Sequence, residues 1–461
     1  MKNFILFIIL FFLIINSLFS ATTIYGNAEE YAGNKLVFYK YSDRITFIKD
    51  KIFDLEIDQK GNFKTLIDIN ETTFVFAEFG IYYAYLYLEP NSSYDIVLPE
   101  YIERQDKDIF NPYYQAYPIH LGIKNMKKTD LNYLIMDFDA YYDSFIDYVD
   151  FSDKNIEAIV KEFLTEINGD YKDINNEYFN NYKKFRIANL KNLATRKESE
   201  SIIAFTHFTK SPVLYDNPAY MDLFNNMYNS YFDRYLTSEK GQLLYATIQY
   251  GHRITLIHQL LAQEPEFRYS QFREMVILKG INDALLNRNL EWNPLLLTLD
   301  SLIKSTNYEI HKKIAQNIAD NAVVMSPNTV APVFSLPNIN GDSINIKKFR
   351  GNYIYLQFAN TKSYSSQLEF DLMKKIYQRY KTMCTFITVL TDEDKENAKK
   401  YIQKKKLEWE FLFTETNSNV LSMYNVDIFP LFFLIDTEGL LKLSPAPAPS
   451  ENFEEIFFRM Q

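Results

Sequence analysis

The sequence predicts a multidomain α+β protein, with a β-sandwich over residues 21–120, an all-helical region over 121–325 and an α/β domain over 328–461. Its 461 residues exceed the roughly 150 that are typical of one domain. Hydrophobic residues make up 47% of the chain, which is enough to bury several cores. The apolar spacing changes from strand alternation to helical spacing near residue 129, and to alternating strands and helices from residue 331.

Composition and charge argue against two functional classes. The chain has 49 Lys and Arg against 59 Asp and Glu, and its formal charge is -10. A nucleic-acid partner is therefore not expected, because phosphate binding needs a clustered basic face. Only 12 glycines are present, so a glycine-rich nucleotide loop is not expected either.

The first twenty residues predict a secretory signal peptide. Lys2 supplies the positive start, and an unbroken apolar run follows over residues 4–15. A transmembrane anchor is the alternative, but this run is shorter than the roughly 20 residues that a spanning helix needs. We expect an exported protein of the periplasm or cell surface, with no stable membrane anchor after cleavage near Ser20 or Ala21.

Residues 23–99 carry the pattern of antiparallel strands. Strand-like runs at 36–39, 52–57 and 72–76 are separated by polar Gly, Pro and Asn clusters at 59–62 and 89–93. This alternation of runs and turns predicts a small β-sandwich.

Residues 129–324 change to helical spacing. Thr129 is the expected N-cap of a first helix, and Asn217 with Pro218 is expected to begin another. Aromatic and aliphatic residues then recur every three or four positions, including Phe138, Tyr142, Tyr220, Phe224, Tyr231 and Tyr235. Such stripes can bind sugars or peptides, but burial in a helical core is the favoured interpretation because each buried side chain contributes roughly 2 kcal/mol.

Histidine and cysteine give no metal or redox signal. The five histidines have no metal-ligand spacing; they are His120, His207, His252, His258 and His311. Cys384 is the only cysteine, so an intramolecular disulfide is impossible, and its place in the β-rich run 383–390 predicts a buried, inert thiol. No metal and no cofactor are expected.

From Ala331 onward strands and helices alternate, which predicts a sheet covered on its faces. The expected elements are strands at 353–358, 383–390 and 431–435 and helices at 366–380 and 395–405. The opening run 331–336, the strand ending at Phe358 and the segment 426–436 around Pro430 resemble the TlpA/ResA-type thioredoxin-like family of exported Bacteroidetes proteins. The order of residues 61–63, 85–90 and 94–98 resembles the N-terminal β domain of the DUF4369 type that precedes such domains.

The resemblance implies a site that has lost its redox dithiol. Pro430 falls where the family carries a cis-proline, and Ser363-Tyr364-Ser365-Ser366 falls on its Cys-Xaa-Xaa-Cys. A hydroxyl cannot exchange disulfides, so no catalytic residue is assigned. Hydrolytic use of these serines needs a general base, and no histidine follows Ala331. We instead expect Ser366 and Glu369 to form a helix capping box.

The surface around the serines predicts binding without a catalytic reaction. In this family the cis-proline segment and the first helix start form a groove for extended peptide, here lined by Lys362, Tyr364, Phe429 and Pro430. The favoured function is binding of a peptide or protein in the cell envelope. Two alternatives are a thiol-disulfide oxidoreductase of the TlpA type and a carbohydrate-associated accessory protein that uses exposed aromatics of the β or helical regions.

Overall fold

The chain forms two compact units in a computed structural model. One comprises residues up to Glu103 together with Ala116–Ile318, and the other comprises Arg104–Gln115 with Ala319–Gln461. The residues described are 21–105, 108, 114–194, 200–209, 212–287, 290–324, 327–415, 418–426 and 428–460. The expected signal peptide over 1–20 therefore lies outside the described residues. Among the described helices, none is long and apolar enough to cross a membrane.

The first unit begins with two β-sheets that share one apolar core. Their strands are β1 (Ala21–Asn27), β2 (Lys35–Tyr41), β3 (Lys49–Glu56), β4 (Asn62–Asp68), β5 (Thr73–Phe79), β6 (Tyr82–Leu88), β7 (Ser93–Val97), β8 (Tyr117–His120) and β9 (Gly122–Ile123). One sheet has the order β4-β1-β7-β9 and the other β3-β2-β5-β6-β8. Ile24 and Phe63 from the first sheet and Phe38 and Leu86 from the second belong to the same buried cluster. Side chains alternate between this core and the outside, as the strand period of two requires.

Helices make up the rest of the first unit. In the described residues they are α1 (Leu131–Tyr148), α2 (Ile156–Asp170), α3 (Glu177–Ala194), α4 (Glu200–His207), α5 (Pro218–Met227), α6 (Tyr231–Leu236), α7 (Glu239–Ala246), α8 (Ile254–Leu261), α9 (Ser270–Asn287), α10 (Trp292–Ser305) and the part of α11 (Glu309–Val324) up to Ile318. Four aromatic residues of the predicted stripes are buried, as expected for a helical core; they are Phe138, Tyr142, Tyr220 and Phe224. The β-rich and helical regions were predicted as separate domains, and they lie together in this unit. Their division into two domains stays a prediction.

The helix starts confirm one predicted cap and correct another. The side chain of Asn217 accepts a hydrogen bond from the Tyr220 amide, and Pro218 follows as the first helical residue. Thr129 is not the cap of α1, because Asp130 occupies that position and its carboxylate accepts from the Lys127 amide instead. The two neighbouring polar residues give the same local signal, so sequence alone placed the cap one residue early.

The helix that begins at Pro218 is shorter than its stripe predicts. It ends at Met227, and Ser230 takes a left-handed conformation before α6 begins at Tyr231. The turn brings Phe232 against Gly280 of α9, where an added Cβ would lie 2.5 Å from the Phe232 ring. A side chain at position 280 would therefore push these helices apart.

The buried amide of Asn132 joins α1 to the edge of β6. Its Nδ2 donates to the Tyr87 carbonyl at 2.7 Å, and its Oδ1 accepts from the Tyr87 amide at 2.8 Å. The same Oδ1 lies 3.0 Å from His120 Nε2. Asn132 is only 1% exposed, so water cannot replace these bonds.

We expect Asn132→Ala to lower the free energy of unfolding by about 3 kcal/mol, because it leaves the Tyr87 amide and carbonyl unpaired inside the protein. Urea unfolding followed by circular dichroism measures the loss. Thr165→Ala removes an exposed hydroxyl bond to the Lys161 carbonyl and serves as the control, with an expected change below about 0.5 kcal/mol. Equal losses for the two variants would contradict the assignment.

The second unit is built on a five-stranded mixed sheet. Its elements are β10 (Ser335–Pro337), β11 (Ser343–Asn345), β12 (Tyr353–Ala359), α12 (Tyr364–Tyr380), β13 (Cys384–Leu390), α13 (Lys395–Lys405), β14 (Glu410–Phe413), α14 (Asn419–Met423), β15 (Leu431–Ile435), β16 (Leu441–Leu443) and α15 (Phe453–Arg459). The order is β14-β13-β12-β15-β16, with β12, β13 and β14 parallel and the last two strands antiparallel. The predicted α13 and β15 match in both bounds.

Each face of this sheet is covered by apolar residues. On one face Phe370 of α12, Ile402 of α13 and Phe453 of α15 pack around Tyr355. On the other face, Phe334 and Ile346 of the opening segment pack with Tyr424, which follows α14. The central strand β12 is consequently buried on both sides, as its continuous apolar sequence predicts.

Candidate functional site

The candidate site lies where β12 ends and α12 begins. The peptide bond between Phe429 and Pro430 is cis, as the resemblance implied for Pro430. Phe358 of β12 pairs with Leu431, the residue directly after this proline. The sheet register therefore brings the cis-proline to the same end of β12 as the helix start.

Ser363 and Ser366 are structural hydroxyls at the start of α12. Ser363 is the N-cap, and its Oγ accepts from the Ser366 amide at 3.3 Å. The Ser366 Oγ lies 3.5 Å from the Asn360 amide, which faces it as a donor. Ser363 and Ser366 are 1% and 0% exposed, so neither hydroxyl is accessible to a substrate.

The capping box predicted on Ser366 and Glu369 is wrong. The helix begins two residues earlier than expected, because Ser363 is extended and caps it while Ser366 is already helical. The Glu369 carboxylate instead accepts from the hydroxyl and amide of Ser450, at 2.5 and 3.1 Å. Glu369 thus holds the segment before α15 against α12.

A buried carboxylate that the sequence analysis missed fixes the loop before the helix. Asp392 follows β13 and accepts from the amide and hydroxyl of Thr361. Burial raises the pKa of Asp392, and the Thr361 hydrogen bonds offset part of that rise. Asn360, also buried, donates to the Thr391 hydroxyl at 3.2 Å. The available signal was a polar residue after each of two parallel strands, whose carboxyl ends meet at one sheet edge.

The four predicted groove residues fall into exposed and half-buried pairs. Lys362 is exposed, and the Tyr364 side chain is 73% exposed. Phe429 and Pro430 are half-buried, and Phe429 packs against the core below it. Ser365 is exposed at the first turn of α12. This end of the domain therefore presents aromatic and proline surface beside a helix start.

Cys384 lies far from these residues. It is the first residue of β13 and pairs with Tyr353 at the start of β12. Phe358 lies five residue steps along β12 from Tyr353, which is about 17 Å at the usual rise per residue. The thiol is buried, and burial raises its pKa to about 12. The predicted inert core thiol is what the structure shows.

All five histidines belong to the first unit. His258 and His311 both approach Glu274 in the first unit, at 3.4 and 2.7 Å. Within the described ranges, no three His, Cys, Asp or Glu side chains are grouped closely enough to hold a metal ion.

Sheet order, helix cover and the cis-proline define the second unit as a thioredoxin-like domain. The comparison with known families agrees, since the model described as AhpC/TSA family matches residues 327–444. The chain is 25% identical over 142 residues to the thiol-disulfide oxidoreductase ResA of Geobacillus kaustophilus strain HTA426, covering 31% of this chain and 79% of that protein. It is 27% identical over 110 residues to ResA of Bacillus thuringiensis subsp. konkukian, covering 24% of this chain and 63% of that protein, less than two thirds of its length. This domain therefore has thiol-disulfide oxidoreductase relatives, while the whole chain contains one cysteine.

Solved structures also match a part of the chain, about 30% of its length. The thioredoxin domain of a thiol-disulfide oxidoreductase from Bacteroides vulgatus has 24% identity and a TM-score of 0.27, covering 30% of this chain and 99% of that one. A thiol:disulfide interchange protein from Bacteroides sp. has 24% identity and a TM-score of 0.27, covering 29% of this chain and 89% of that one.

Proposed function

We propose that this protein is an exported thioredoxin-like binding protein without a redox dithiol, which holds an extended peptide or a protein segment in the cell envelope. The observation that carries the proposal is the state of Ser363 and Ser366, which occupy the positions expected for the family's cysteines. Both hydroxyls are buried, and they face backbone amides. A hydroxyl forms no disulfide, so these two serines cannot exchange electrons with a substrate thiol.

The surface around these serines supports binding. Tyr364 projects from the helix start, and large exposed aromatic side chains are common anchors in protein interfaces. Phe429 and Pro430 offer apolar surface at the same end of β12. The first amides of α12 and the charge of Lys362 favour a carboxylate or another anion on the partner. The proposed partner is thus an extended segment with an apolar residue and an acidic group.

The second candidate is a thiol-disulfide oxidoreductase, which the names of the relatives favour. The argument against this candidate is the absence of a suitable thiol pair in the sequence. Cys384 is the only sulfhydryl in the sequence, it is buried at the opposite end of the sheet, and its pKa is raised to about 12. A reactive cysteine needs an accessible thiolate, and burial suppresses both access and ionisation.

Export and the nature of the N-terminal region belong to the same proposal. The apolar run 4–15 supports a signal peptide, and the two sheets that share a core support a β domain of the DUF4369 type ahead of the helices. The carbohydrate alternative has less support, because much of the predicted aromatic stripe is buried in the core.

The groove is tested by affinity capture from envelope extracts with Tyr364→Ala and Phe429→Ala. Truncating an interface anchor costs about 1.4 kcal/mol or more, so captured partners should fall about tenfold. Tyr148→Ala is the matched control, because Tyr148 is an aromatic side chain that is 89% exposed in α1. Partners that persist in both groove variants would reject the groove, as would an equal loss in the Tyr148 variant.

A further inference from the structure

Helix α12 carries apolar side chains on the face that is turned away from the domain core. Tyr364 and Leu368 are 73% and 49% exposed, and Leu372 is half-buried. These residues stand at positions i, i+4 and i+8, so they form one row along the helix. Met373 lies nine residues after Tyr364, which is half a turn away at about 100° per residue, and it is buried in the sheet core. The helix therefore has two apolar faces, and the core of the domain covers one of them.

The exposed row begins at the cis-proline end of the domain. Tyr364 is the first residue of α12, and Ile428, next to Phe429, is 43% exposed. The pairing of β12 with β15 brings Pro430 to this end of the sheet. Exposed apolar surface thus starts at the proposed groove and continues along the helix to Leu372, a rise of about 12 Å over eight residues. Apolar surface of this kind marks a place where another protein binds.

Positive charge stands at both ends of the row. Asp371 lies on the same side of α12, but it pairs with Lys405 at 2.9 Å, and Arg379 further along is likewise paired within the domain. Lys375 continues the row at position i+11; it is exposed, and it forms no ion pair with any residue that the structure describes. Lys362 is exposed just before the helix start. A complementary surface therefore carries acidic groups at the ends of its own apolar row.

The spacing of the row fits a helix as the occupant. Side chains at i, i+4 and i+8 form a ridge that packs into the groove of a second helix, whose own anchors recur every three or four residues. An extended segment turns alternate side chains to opposite sides, so half of them would point away from this ridge. A second copy of this chain fits less well, because an antiparallel symmetric pair would bring positive ends against positive ends.

We propose that the exposed face of α12 docks an acidic amphipathic helix of the partner protein. Apolar residues of that helix pack on Tyr364, Leu368 and Leu372, and an acidic residue pairs with Lys375. This inference rests on the proposed binding function and specifies its partner: a protein that places an extended segment in the groove and a helix along α12.

Fluorescence anisotropy of the full protein with a labelled helical peptide tests the docking face. The probe has about 20 residues, enough to form a helix alone, with leucine at i, i+4 and i+7 and glutamate on the flanks. We expect it to bind at least about tenfold more tightly than a peptide of the same composition with alternating leucines, and than a version with lysine in place of glutamate. No binding of the probe, equal binding of the alternating peptide, or tighter binding of the lysine version would each overturn the proposal.

Two single variants locate the contact on α12. Leu368→Ala should weaken binding of the probe about tenfold, whereas Leu297→Ala in α10, a leucine that is also 49% exposed, should leave it unchanged. Lys375→Glu should weaken binding by a similar factor and reduce its dependence on salt, while Lys161→Glu at an exposed position of α2 should do neither. All four positions are at the surface, so thermal unfolding should stay unchanged. Equal effects at Leu368 and Leu297 in folded variants would reject this face.

Capture from envelope extracts separates failure of this inference from failure of the proposed function. Partners lost in Phe429→Ala but fully retained in Leu368→Ala would leave the groove standing and overturn the helix docking. Partners retained in both variants would overturn both proposals. Sedimentation of the wild type adds one further outcome, because self-association that Leu368→Ala abolishes would assign this face to a second copy and overturn the proposed partner.

Discussion

Glu274→Ala is expected to lower the free energy of unfolding by about 4 kcal/mol, the largest stability effect that we predict for one side chain. The Glu274 carboxylate is buried in α9 and accepts from three donors, His311, His258 and Thr306. Removing it leaves the buried donors His311 and Thr306 unpaired, at about 1–3 kcal/mol apiece, and His258 loses the same acceptor at a partly exposed position.

Each histidine that donates to Glu274 has a second hydrogen-bond partner at its other ring nitrogen. His311 Nδ1 donates to the carboxylate, and its Nε2 lies within hydrogen-bond distance of the Tyr215 hydroxyl, at 2.6 Å. His258 Nδ1 accepts from Arg273 Nε at 3.1 Å, which leaves its Nε2 to donate to Glu274.

The same network predicts how stability depends on pH. Burial tends to raise the pKa of Glu274, but hydrogen bonds from His258, His311 and Thr306 outweigh it and lower the pKa from 4.5 to about 2. A lowered pKa in the folded state stabilises the fold above pH 4.5, and this contribution is lost as pH falls towards 2. It amounts to about 3 kcal/mol.

Urea unfolding of wild type, Glu274→Ala and Glu274→Gln across acid pH measures both effects. The Gln variant keeps one oxygen for His311 and Thr306, so it should lose about half as much as the Ala variant. Neither variant should show the part of the acid destabilisation that belongs to Glu274. A loss below about 1 kcal/mol for Glu274→Ala would contradict the role of the network.

The sequence predicted those features that depend on local chemistry or on ordered landmarks. Pro430 was placed as a cis-proline, Asn217 as a cap and Cys384 as a buried thiol. Local pattern could not decide between Ser363 and Ser366 as the cap of α12, because both are serines at a helix start. Glu369, the second residue of the predicted capping box, binds Ser450 from 81 residues away, and no local pattern shows that contact.

The missed residues are those that only tertiary structure brings together. Asp392 and Thr361 follow different strands, and the parallel pairing of β12 with β13 makes them neighbours. His258 and His311 have no informative spacing, because they reach Glu274 from separate helices.

Two sulfurs introduced at positions 363 and 366 should form a disulfide if these positions correspond to the redox cysteines of the relatives. We expect Ser363→Cys/Ser366→Cys, made with Cys384→Ala, to form a disulfide under oxidant, because N-cap and third helical positions suit a disulfide and the helix start lowers a thiol pKa from about 8.5. Ser365→Cys in the same background adds one exposed thiol without a partner and is the control. A double variant that folds but keeps two free thiols under oxidant would contradict the proposed correspondence of Ser363 and Ser366 with the redox cysteines.

Insulin reduction by the unaltered protein tests the central claim most directly. With dithiothreitol as the electron donor, we predict that insulin precipitates no faster than with dithiothreitol alone, and no faster than with the Cys384→Ala variant. Reduction by purified wild-type protein clearly above that by dithiothreitol alone, lost on Cys384→Ala, would contradict the assignment of this domain to binding without electron transfer.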